Sequence, residues 1–64
     1  MTRVHQVGIV GAMLASSGLV VSLCSIGTTL VAAFLNDSDA LKAETILKGY
    51  QFKRSGSLIL LKLS

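Results

Sequence analysis

The sequence predicts an all-α membrane protein: one long transmembrane helix, then a short amphipathic helix and an interfacial tail. Three observations lead there. From Val7 to Leu35 no side chain is ionisable apart from Cys24. The composition is 52% hydrophobic and only 14% charged, too apolar for a disordered chain and richer in apolar groups than an ordinary water-exposed domain. Small residues also recur in three-four alternation, at Gly8, Gly11, Ala15, Gly18, Ser22, Ser25, Thr29 and Ala32. On an α-helix that spacing makes one nearly straight seam, and a seam without bulk lets another helix approach closely in lipid.

Residues 1–6 form an N-terminal flank carrying Arg3 and His5. Residues 7–35 are the expected transmembrane helix, roughly 43 Å long at 1.5 Å per residue, against a hydrocarbon core of about 30 Å. Tilt, interfacial ends or a bend near Gly27-Thr28-Thr29 absorb the excess. In water the glycines and the many Ser, Thr and Val residues make a poor helix; lipid enforces one, because unpaired backbone groups are costlier there. A secretory signal is the competing assignment. The apolar run is about twice the usual length, and Val31-Ala32-Ala33 lacks the small-x-small pattern of a cleavage site. Val10, Leu14, Val21 and Leu35 lie opposite the seam and suit lipid.

Residues 36–39, Asn-Asp-Ser-Asp, break the run with turn and N-cap formers. Residues 40–64 are expected to be a basic amphipathic tail on the membrane surface. A helix from near Asp39 to about Lys48 has its acids early and a lysine late, with Gly49 as a stop. Leu41, Ile46, Leu47 and Tyr50 give it a partial apolar side. Gln51 to Ser57 reads as a polar connection. Leu58 to Leu63 is too short to span a bilayer and is either an interfacial helical turn or a short strand against a partner. Lys48, Tyr50, Phe52, Lys53, Arg54 and Lys62 are the expected membrane-surface residues. Arg3 precedes the span while Lys42, Lys48, Lys53 and Arg54 follow it, so the positive-inside rule puts the tail on the cytoplasmic, matrix or stromal side.

The chemistry-bearing residues are few. The net charge of +3 comes mainly from the tail, without the dense basic patch and stacking aromatics that nucleic-acid binding wants. One cysteine cannot form an internal disulfide, and Cys24 beside the seam reads as a packing residue. His5 has no neighbours to complete a ligand set. No paired carboxylates, nucleophile-base pair or phosphate loop is present, so neither a catalytic residue nor a cofactor or metal is expected. The expected function is that of a structural or accessory subunit, its small-residue seam packed against transmembrane helices of a larger complex. A self-assembling coat- or pilus-like subunit packing on copies of itself is the alternative. A small membrane-active regulator or toxin is a third, weakened by Asp37, Asp39 and Glu44. The expected partners are thus the lipid bilayer and other helices, not nucleic acid.

Overall fold

The apolar run is not one helix. The computed structural model describes the backbone of residues 3–63 and the side chains of residues 6–63. Its elements are α1 (Arg3–Ser16), β1 (Val21–Ile26), β2 (Thr29–Phe34), α2 (Asp37–Ile46), β3 (Phe52–Ser55) and β4 (Leu58–Lys62). The strands form one antiparallel sheet in the order β1-β2-β4-β3. The fold is α+β, and the expected all-α membrane architecture is overturned.

The reason lies in the local chemistry of residues 16–29. Ser16 Oγ donates to the Ala12 carbonyl at 2.7 Å, and Ser17 Oγ donates to the Met13 carbonyl at 3.2 Å. Such hydroxyls offer the backbone an alternative to continuing the helix. The next residues, Leu19-Val20-Val21, are bulky and partly β-branched, and extended backbone suits them. Gly27 then takes φ +60° while Thr28 does not have positive φ. Positive φ at only the first of two loop residues is the pattern of a type II′ hairpin, which twists in the same sense as its strands. Gly56, at φ +62°, opens the β3–β4 hairpin in the same way before Ser57.

The chain is therefore two successive αββ units, α1-β1-β2 and α2-β3-β4, joined in the sheet through β2 and β4. The register Thr29↔Lys62 to Ala33↔Leu58 makes that seam, extended by the Phe34 N–H donating to the Ser57 carbonyl at 2.9 Å. Asn36 caps α2: its side chain accepts from the Asp39 N–H at 2.9 Å, and Asp37 and Asp39 occupy the positive end of the helix dipole.

Both helices lie on one face of the sheet. Leu30, Ala32 and Phe34 from β2 point into that layer with Ile59 and Leu61 from β4 and the following Leu63, all buried. Val10 and Leu14 meet them from α1, and Ala40, Ala43 and Leu47 from α2. The alanines hold α2 close to β2 and β4. Leu41, expected on the apolar side of this helix, is exposed, as is Tyr50.

Several expectations are corrected by this arrangement. No described helix is long and apolar enough to cross a membrane. The transmembrane helix over 7–35 is replaced by α1, β1 and β2, and the assignment of an integral membrane location with an inward tail falls with it. Val10 and Leu14, expected to face lipid, are fully buried in the core. Residues 40–64 are not a surface-lying tail: they hold most of α2 and the β3–β4 hairpin, which supplies half the sheet. Within them, 51–57 is no simple polar connection, because β3 occupies Phe52–Ser55. Residues 58–62 take the strand form, paired within the chain to β2 and β3.

Candidate interaction face

Side chains alternate along a strand, so the face opposite the helices is fixed by the same register. One row across it is Cys24, Val31, Leu60 and Lys53. A second is Ser22, Ala33, Leu58 and Ser55. A third is Ile26, Thr29 and Lys62. Among the described residues no element covers these rows. Ile26 is 66% exposed, Leu58 40% and Leu60 36%, while Val31 and Ala33 between them are partly shielded by their neighbours. An apolar sheet face left open in this way is the least ordinary surface of the molecule, because a contiguous exposed patch, unlike single exposed side chains, marks contact sites.

At the β3 side of this face, Thr28, Thr29, Gln51, Phe52, Lys53, Leu60 and Lys62 line a shallow groove of about 440 Å³. Its lining residues combine the apolar Phe52 and Leu60 with two lysines, two threonines and a glutamine. The acids lie elsewhere. Asp37, Asp39 and Glu44 all belong to α2, and Glu44 Oε2 accepts from Arg54 Nε at 2.5 Å, with both side chains about one-third exposed (31% and 33%). Arg54 Nη1 also donates to the Gly56 carbonyl at 2.9 Å, so this cation is held against the hairpin turn, away from Lys53. The open face is thus apolar and purely cationic. The groove holds no carboxylate or imidazole to move a proton, and the described residues contain no cluster of three or more His, Cys, Asp or Glu that could hold a metal. What the arrangement can do is bury apolar surface and pair with anionic groups.

The residues expected to form one helical seam are dispersed by the fold. Gly8, Gly11 and Ala15 lie on α1, Gly18 in the following turn, Ser22 and Ser25 on β1, and Thr29 and Ala32 on β2. Ser22 and Thr29 reach the open face, Ser25 takes the opposite one, and Ala32 is buried in the core. Gly11 faces β1 so closely that a Cβ there would sit 3.1 Å from Leu23 Cδ1. Of the expected membrane-surface set, Lys53 and Lys62 border the open face and Phe52 packs partly against the core. Arg54 pairs with Glu44; Lys48 and Tyr50 are exposed beyond α2, where the Tyr50 hydroxyl lies 3.8 Å from Met13 Sδ. Cys24 is exposed in the first row of the open face. The side chains of Arg3 and His5 lie outside the described residues.

Sequence reasoning missed Ile26, Val31, Leu58, Leu60, Thr28 and Gln51 as parts of one surface. The available signal was Gly27-Thr28 and Gly56-Ser57, each a Gly-X pair between strand-forming runs and so a type II′ hairpin signature. No protein-family model, curated protein or solved structure matches the chain.

Proposed function

We propose that the protein is a non-catalytic accessory subunit whose open sheet face docks an amphipathic helix of a partner protein, apolar along its contact stripe and acidic along its rim. The observation that carries this is the combination on one face of Ile26, Val31, Leu58 and Leu60 with Lys53 and Lys62, while every acid is confined to α2. Apolar rows supply the burial, and the two lysines favour an anionic rim and disfavour a cationic one. The groove beside Leu60 gives one large apolar side chain of the visiting helix a seat.

The test uses a synthetic helical peptide with leucines at i, i+3, i+4 and i+7 and glutamates flanking them, with its lysine-flanked counterpart and anionic phosphatidylglycerol vesicles as the other arms. Amide shifts of the labelled protein are followed in each titration. The expected result is binding of the acidic peptide, shifts centred on Val31, Leu58 and Leu60, and an affinity loss of about tenfold or more in Leu60→Lys. Equal binding of both peptides, binding of neither, response to vesicles alone, or shifts confined to the helices would each overturn the proposal.

A further inference from the structure

The two outer strands of the sheet differ in a way that points to self-pairing. β3 is short and carries Lys53 and Arg54, which blunt an edge against adding another strand. β1 is six residues, Val-Ser-Leu-Cys-Ser-Ile, with no lysine, arginine, acid or proline. Its hairpin partner β2 takes one side of its backbone. Counting from the two-residue turn, Ile26↔Thr29, Cys24↔Val31 and Ser22↔Ala33 are the hydrogen-bonded pairs, so the N–H and C=O groups of Val21, Leu23 and Ser25 point away from the sheet. We infer that this edge pairs with the β1 edge of a second copy, joining two sheets into one of eight strands about a two-fold axis normal to the sheet.

The symmetry selects the register. Such an axis keeps both helix layers on one side, so each residue must sit opposite one of the same face and hence the same parity. Centring on Leu23 places Leu23 against Leu23 of the second copy, Val21 against Ser25, and Ser22 against Cys24. It also aligns the outward groups of Val21, Leu23 and Ser25 with their counterparts as hydrogen-bonded pairs. One step further, Val20 meets Ile26, the two strongly exposed aliphatic side chains at the ends of this strand (62% and 66% exposed). Centring on Cys24 instead sets Ile26 against Ser22 and Val21 against Gly27, leaving Val20 without an apolar mate.

The charge distribution leaves this edge open to a second copy. Each chain carries net +3, with its lysines and arginine on α2, β3 and β4 and beyond α2 apart from Arg3, so copies joined at β1 bring together their least charged edges. α1 packs on β1, and Gly11 faces Leu23 of that strand, so the helix lies over the strand whose outer edge is open. This inference concerns the sheet edge and stands independently of what docks on the open face.

The experiment is sedimentation equilibrium of the full chain under reducing conditions, followed by oxidation of Ser22→Cys and peptide mapping. Wild type is expected to dimerise. Ser22→Cys is expected to give covalent dimers that link the introduced thiol of one copy to Cys24 of the other, a non-hydrogen-bonded pair within disulfide reach. Ser25→Pro, which removes an outward N–H that β2 does not use, is expected to weaken dimerisation about tenfold or more. Cys24→Lys, an exposed substitution that copies the charged character of β3, should do the same with the circular dichroism unchanged. A monomer at every concentration, affinity unaltered in both variants, or links joining only identical positions would overturn the inference.

Discussion

The two αββ halves solve the same folding problem with different side chains. Each is a helix followed by a hairpin whose two-residue turn opens on a glycine of positive φ, Gly27 in the first and Gly56 in the second. Their inner strands are near equivalents: β2 buries Leu30, Ala32 and Phe34, and β4 with the residue after it buries Ile59, Leu61 and Leu63. Their outer strands are not. β1 has no charged residue, whereas β3 places Lys53 on the open face and ties Arg54 to Glu44 beneath it. The inner strands carry the fold, and there both halves must be apolar on the helix side. The outer strands are released from that demand, and there one half is guarded by charge while the other is left fit for contact.

If the inner strands are equivalent, equal damage to each should cost alike. Leu30→Ala and Ile59→Ala each remove a fully buried aliphatic side chain from the centre of the sheet, at about 2–5 kcal/mol. A domain this small rarely has more than about 3–5 kcal/mol in hand, so both variants should be largely unfolded by circular dichroism and urea titration. A large loss in one with none in the other would break the equivalence.

A smaller effect probes the turns. Gly27→Ala and Gly56→Ala force a side chain into the positive-φ first position of a type II′ turn, at roughly 1–3 kcal/mol each. Neither site is crowded: an added Cβ at Gly27 meets nothing within 4 Å, and at Gly56 it lies 3.8 Å from Asp37 Oδ1, an ordinary contact. The two urea midpoints should therefore fall by similar amounts. A selective loss at Gly56 would mean that the charged hairpin depends on its turn more than the apolar one does.

Legibility in the sequence followed the same division. Around α2 the side chains announce themselves: Asn36 to Asp39 as a cap, acids in the first turn, Gly49 beyond the end. The helix runs Asp37–Ile46, close to the stretch from Asp39 to Lys48 that those signals indicate. In 58–62 the single Lys62 among leucines hints at alternation, with Ile59 and Leu61 inward and Leu58, Leu60 and Lys62 outward. The first half hides its period. In β2 the inward Leu30, Ala32 and Phe34 alternate with Val31 and Ala33, which are apolar too, so a period of two leaves no trace in hydropathy. The uncovered face thus made the chain resemble a membrane span. The small-residue spacing added to that impression, although only Gly8, Gly11 and Ala15 of the seam lie on a common helix. The open face was illegible for a related reason: it is assembled from β1, β2, β4 and β3, and only the register brings Cys24, Val31, Leu60 and Lys53 into one row.

A nuclear Overhauser map of the labelled chain in aqueous buffer, focused on residues 21–34, distinguishes the β1–β2 hairpin from a continuous helix most directly. Cross-strand contacts are expected at Cys24–Val31 and at Val31–Leu60, with helical i to i+3 contacts ending near Ser16. An unbroken helical pattern from Val7 through Leu35, with no contact between Val31 and Leu60, would contradict the hairpin.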